Sequence, residues 1–127
     1  MSAQRFKVLL VEDEQPLVSL YKEYLKEEPL DITHASSGKE ALKHLSQQDP
    51  DVILLDVRLP DMNGTEILDF IQERGLTSAV IMITAHGSIN MAVETMRGGA
   101  YDFLVKPFNR QRLVQTLTAA LKRESIK

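Results

Sequence analysis

Three acidic residues in succession, Glu12, Asp13 and Glu14, close an apolar run that begins at Phe6. Carboxylates crowded at the end of a strand repel one another, and repel any phosphate brought near them, unless a cation stands between them. Three more apolar runs end in reactive or charged side chains. Val52-Ile53-Leu54-Leu55 leads to Asp56, Ala79-Val80-Ile81-Met82-Ile83 leads to Thr84, and Phe103-Leu104-Val105 leads to Lys106. Glu12, Asp13 and Asp56 form an all-oxygen set suited to a hard divalent ion, Mg2+ first and Mn2+ as an alternative. The backbone carbonyl of Arg58 is a further candidate ligand. Mg2+ keeps several waters and commonly a phosphate oxygen, so the expected site is open on one side. Phosphoryl transfer needs mainly positioning and charge stabilisation. In that chemistry Asp56 is the candidate nucleophile, forming an acyl phosphate. The Lys106 ammonium would take a phosphoryl oxygen and offset the charge at Asp56, while Thr84 would offer a hydroxyl donor to another oxygen.

These residues converge only if the runs that carry them lie side by side. Short apolar segments alternate five times with helical spacing, which predicts an α/β domain with a parallel sheet and crossover helices. The strands are predicted at Lys7 to Val11, Asp31 to Ala35, Val52 to Asp56, Ala79 to Thr84 and Asp102 to Lys106. The first, third and fourth are apolar at nearly every position, as strands covered on both faces must be. The second alternates and the fifth is short, so both read as edges. Right-handed crossovers then give the order 2-1-3-4-5, a single doubly wound, flavodoxin-like sheet with five helices. Its topological switch point falls between strands one and three, beside Glu12, Asp13 and Asp56, where open sheets of this kind bind ligands.

The helices carry matching punctuation. Pro16 opens the first, with Leu17, Leu20, Tyr21, Tyr24 and Leu25 expected on one face. Ser37 and Glu40 have capping-box spacing at the second. Gly75 after the third and Gly98-Gly99 after the fourth sit where left-handed caps belong, and Asn109 can cap the fifth.

Composition excludes several alternatives. The 127 residues make one domain, 43% hydrophobic and 26% charged, with no cysteine and hence neither disulfides nor thiolate chemistry. A net charge of -3 gives no bulk attraction to nucleic acid. No apolar run is long enough to span a bilayer, and the N-terminus lacks a signal-peptide core, so a cytoplasmic location with no membrane contact is expected.

Together the segments VLLVEDE, DVILLDVRLPDMNG, VIMITAHGS and GAYDFLVKPF resemble the receiver domain of two-component response regulators over essentially the whole chain. The resemblance implies Mg2+ at Glu12 and Asp13, phosphorylation of Asp56, a switch hydroxyl at Thr84, and Lys106 as the active-site lysine. It also implies Phe103 as the aromatic partner of the switch and a cis Lys106-Pro107 bond. Glu12-Asp13 replaces the commoner Asp-Asp pair. The implied phosphate donor is a sensor histidine kinase or a histidine phosphotransfer protein, and the implied signalling face is the fourth helix, fifth strand and fifth helix. Arg97, Tyr101, Asp102 and Arg110 are candidates on that face, and a homodimer is compatible with it.

Within the family the motifs look most like NtrC-type, sigma-54-dependent transcription activators, quorum-sensing regulators among them. Such proteins continue into an AAA+ ATPase domain and a helix-turn-helix, neither of which lies in this sequence. Residues 1–127 are therefore expected to be one receiver domain, alone or as a piece of a longer activator. Arg58 and His86, each two residues beyond a key position, are expected to modulate phosphoryl lifetime. His34 and His44 have no metal-ligand spacing. A haloacid-dehalogenase-type phosphohydrolase would need an acid where Arg58 stands, and a flavin binder would need a phosphate loop where EDEQP stands. A docking domain that is not phosphorylated is the remaining alternative.

Overall fold

The structure is a computed structural model and describes residues 4–85 and 89–123. His86 therefore lies outside the described residues. Five strands and five helices alternate: β1 (Phe6–Val11), α1 (Gln15–Leu25), β2 (Leu30–Ala35), α2 (Gly38–Leu45), β3 (Val52–Asp56), α3 (Gly64–Arg74), β4 (Ala79–Thr84), α4 (Ile89–Arg97), β5 (Asp102–Val105) and α5 (Arg110–Lys122). The sheet order is β2-β1-β3-β4-β5 and every pairing is parallel, as the strand patterns predict.

Alternation along each strand sorts the core into two layers. Val8, Leu10, Leu54, Ile81, Ile83 and Leu104 pack with α1 and α5 through Val18, Tyr21, Leu25, Leu113 and Leu117. Leu9, Val11, Ile53, Leu55, Val80 and Met82 pack on the other side with Ala41, Leu45, Ile67, Leu68 and Ile71 of α2 and α3. All residues of β3 and β4 are buried. Two filled layers hold the central strands rigidly, so the residues just past their carboxyl ends have fixed origins.

Four expectations need correction. Leu20 is 40% exposed, and Val18 takes the inward position instead. Leu20 lies roughly 100° around the helix from Tyr21 and 200° from Val18, off the buried stripe. At α2, Ser37 Oγ accepts the Glu40 amide at 3.2 Å, but the Glu40 carboxylate turns to Ser36, whose hydroxyl lies 2.5 Å away, so the box is only half made. Of Gly98 and Gly99, only Gly99 has a positive φ, 105°. β5 ends at Val105. Lys106 still donates its amide to Thr84 O at 2.8 Å, but Pro107 has no N–H with which to extend the ladder. The Lys106-Pro107 bond is cis, as the resemblance implies. Gly75 (φ 65°) and Asn109, which accepts the Arg112 amide at 2.8 Å, cap as expected.

Candidate functional site

Carboxylate oxygens of Glu12, Asp13 and Asp56 lie within 4.8 Å of one another at the switch point. Glu12 follows β1, and its amide donates to Ala35 O at 3.1 Å, so the turn leaves the sheet in a fixed direction. Asp13 is exposed, whereas Glu12 is wholly buried and Asp56 is 5% exposed. Lys106 reaches across from the end of β5. Its Nζ lies 2.7 Å from Asp56 Oδ2 and 3.2 Å from Glu12 Oε1. The Arg58 amide donates to Asp56 Oδ1 at 2.8 Å, so both Asp56 oxygens are held.

One ammonium faces three carboxylates, leaving a formal surplus of two negative charges. The surplus is visible in Glu12, whose pKa is pushed from the usual 4.5 up to about 7. Burial is the largest cause, and the adjoining Asp56 carboxylate adds to it. The Glu14 amide, 3.1 Å from Glu12 Oε2, and Lys106 oppose it without prevailing. Burial pulls Lys106 down, but Asp56 and Glu12 outweigh it, and the ammonium is held above its ordinary range. An all-oxygen donor set with uncompensated charge and one exposed member fits a hard divalent cation with waters on its open side.

Thr84, 7% exposed, stands one residue beyond Ile83, which pairs with Asp56. Phe103 is half-buried, pairs with Met82, and shares with Thr84 a tight crevice lined also by Val57, Met91, Ala92 and Thr95. The positions predicted at the rim therefore come together. Of the expected signalling residues, Arg97 and Arg110 are exposed and Tyr101 and Asp102 are half-buried. Tyr101 donates its hydroxyl to Ala119 O at 3.2 Å, tying the start of β5 to α5. Arg110 binds Tyr24 O and Glu27, joining α5 to α1.

Two supporting residues are not foreseen from the sequence. His34 Nε2 lies 2.8 Å from the Glu12 carbonyl oxygen; a carbonyl only accepts, so this ring nitrogen carries the proton. Gly64 opens α3 so close to β3 that an added Cβ would collide with the Asp56 carbonyl oxygen. Its amide donates to Val57 O at 2.6 Å, closing the loop after Asp56. The glycine eight residues after a strand-terminal aspartate is the signal that could have revealed it.

The response regulator receiver domain model matches residues 8–118. Regulatory protein LuxO of Vibrio cholerae is 41% identical over 116 residues, covering 91% of this chain and 26% of that protein. Response regulator protein PilR of Pseudomonas aeruginosa is 38% identical over 118 residues, covering 93% and 26%. The chain thus spans about a quarter of the length of these curated relatives. The crystal structure of the signal receiver domain of a LuxO repressor protein from Vibrio parahaemolyticus superposes with a TM-score of 0.93 at 44% identity, covering 97% of this chain and 95% of that one. Among the described residues no helix is long and apolar enough to cross a membrane. A match running from the first strand into the last helix, with relatives more than a third identical, fixes the family: this chain belongs to the response regulator receiver domains of two-component signalling.

Proposed function

We propose that Asp56 is the phosphoacceptor of this receiver and that its phosphorylation resets the face formed by α4, β5 and α5. The observation that carries the reading is the Lys106 ammonium between Asp56 and Glu12, at 2.7 and 3.2 Å. It steadies a carboxylate that must act as nucleophile and stands ready for an incoming phosphoryl oxygen. The donor is a sensor histidine kinase or a histidine phosphotransfer protein. An Asp56 oxygen forms the new P–O bond as the P–N bond of the phosphohistidine breaks, and the imidazole nitrogen leaves with the bonding pair. Glu12, Asp13, Asp56 and the Arg58 carbonyl are the ligands for Mg2+, with Mn2+ as a substitute. When bound, that ion neutralises the crowded carboxylates and the arriving phosphoryl oxygens.

Afterwards the Thr84 hydroxyl donates to a phosphoryl oxygen, and Phe103, in the same crevice, repacks with it. Added charge and acceptor oxygens bias this two-state element. Water later attacks the phosphorus, the P–O bond to Asp56 breaks with the pair staying on the carboxylate, and inorganic phosphate leaves, so the domain is a self-resetting switch and not a turnover enzyme. Residues 1–127 act as one receiver unit, in the cytoplasm, controlling transcription through AAA+ and helix-turn-helix output domains, with a homodimer as the assembly that relays the change. The domain itself makes no nucleic-acid or membrane contact.

Intact mass spectrometry after incubation with acetyl phosphate tests the reading. One phosphoryl group is gained only with Mg2+ and is absent in Asp56→Asn. Thr84→Ala keeps the gain but loses the accompanying NMR shifts around Phe103. Equal uptake by the wild type and Asp56→Asn would sink the assignment.

A further inference from the structure

A second contact between distant parts of the chain bears on the same loop. At α2 the Ser37 hydroxyl serves the Glu40 amide, and Glu40 serves Ser36. The two amides between them are taken by a carboxylate from elsewhere. Asp61 Oδ1 accepts from Gly38 N at 2.8 Å, and Oδ2 accepts from Lys39 N at 2.9 Å. A negative charge there also meets the positive end of the helix dipole. Next to it the Met62 side chain lies against Gly38, where an added Cβ would overlap Met62 Cγ.

The loop so anchored is short and internally braced. Arg58 bridges Asn63, the Leu59 amide donates to Met62 O at 3.2 Å, and the Glu66 carboxylate accepts the Asn63 amide at 3.0 Å. A displacement at Asp61 is therefore passed to Arg58, three residues earlier. Arg58 in turn supplies the amide on Asp56 Oδ1.

We infer that Asp61 is a positioning residue for Asp56: by seating the β3–α3 loop on the first turn of α2, it fixes the Arg58 peptide that holds the nucleophile. The inference rests on the phosphoacceptor reading above. Coupling of this kind is reciprocal, so an ion drawing on the Arg58 carbonyl must also disturb the Gly38 and Lys39 amides.

The test is a Mg2+ titration of the whole chain followed by amide NMR, with acetyl phosphate rates measured on the same samples. The wild type is compared with Asp61→Ala, Asp61→Asn and Ser37→Ala. The last removes the other α2 cap without touching the loop. In the wild type the Gly38 and Lys39 amides shift with Mg2+. Asp61→Ala weakens Mg2+ affinity and slows phosphorylation by about tenfold, the low end for outer-shell partners. Asp61→Asn, which keeps one oxygen acceptor, falls between, and Ser37→Ala binds Mg2+ as the wild type does. Wild-type affinity and rate in Asp61→Ala, or an equal loss in Ser37→Ala, would overturn the inference. A wild type that binds Mg2+ but takes no phosphoryl group would defeat the phosphoacceptor reading alone, because the affinity comparison still decides the role of Asp61.

Discussion

The two ends of the parallel sheet carry the same kind of side chain and treat it in opposite ways. At the amino-terminal end, Asp49 accepts four hydrogen bonds, from the Thr77 amide (2.9 Å) and hydroxyl (2.8 Å) and the Ser78 amide (3.1 Å) and hydroxyl (2.6 Å). Nearby, Asp51 accepts the Lys7 amide at 2.7 Å. Burial pulls Asp49 upward, but its donors outweigh that, and the carboxyl sits below its ordinary value. At the carboxyl-terminal end, Glu12 is more deeply buried yet has one amide and a shared ammonium, and it is pushed up to about 7. Deeper burial, an adjoining carboxylate and fewer donors together set Glu12 apart from Asp49. Where a carboxylate only ties loops together, its donors are complete; on the proposed function, the end that admits a cation and a phosphoryl group is the one where they are left short.

Asp→Asn substitutions at the two ends should therefore diverge. Asp56→Asn abolishes phosphorylation outright, the largest effect expected. It also stabilises the cation-free protein, by about 1 kcal/mol, because it relieves repulsion from Glu12 and Asp13 while Lys106 keeps Glu12. Gly64→Ala tests whether the charged rim depends on an unyielding backbone. A Cβ driven into the Asp56 carbonyl should cost about 3 kcal/mol in urea unfolding, and phosphorylation should slow because the loop shifts. Asp49→Asn should cost about 1 kcal/mol, a low figure for four bonds because the site is in contact with water, and should leave phosphorylation untouched. If Asp49→Asn and Asp56→Asn shift the melting temperature in EDTA in the same direction, the contrast between the ends is wrong.

The acidic end was legible in the sequence because its residues sit at the ends of apolar runs, and strand order follows from which runs are apolar throughout. Glu12, Asp13, Asp56, Thr84 and Lys106 could be placed on one rim from that alone. Phe103 could not, since periodicity reads it as core; only the family resemblance marked it. The Asp49 tie was invisible for a different reason. Its partners Thr77 and Ser78 lie 28 and 29 residues away in a loop without periodicity, and loop-to-loop hydrogen bonds leave no pattern in composition. Leu20 and Glu40 show local rules overridden: Leu20 falls off the stripe that Val18, Tyr21 and Leu25 bury, and the Glu40 carboxylate is taken by the Ser36 hydroxyl.

The smallest expected effect is the most direct measure of the contrast, because the two ends must respond to pH with opposite sign. Without divalent cations, folding raises Glu12 from 4.5 to about 7. Between those values the folded state binds more protons than the unfolded one, so stability falls as pH rises through that window. Asp49 is depressed from its ordinary 3.8, so its contribution is complete above that pH and is lost as pH falls through the lower folded value. Urea unfolding in EDTA should thus show a maximum on the acid side of neutrality, with a falling limb toward pH 7. Saturating Mg2+ should remove that limb, because the ion competes with the proton at Glu12. Glu12→Gln should flatten the upper limb alone, and Asp49→Asn should soften the lower one alone. An upper limb that survives Glu12→Gln would mean that the extra proton is not held at Glu12, and the setting of that carboxylate would no longer explain how the two ends differ.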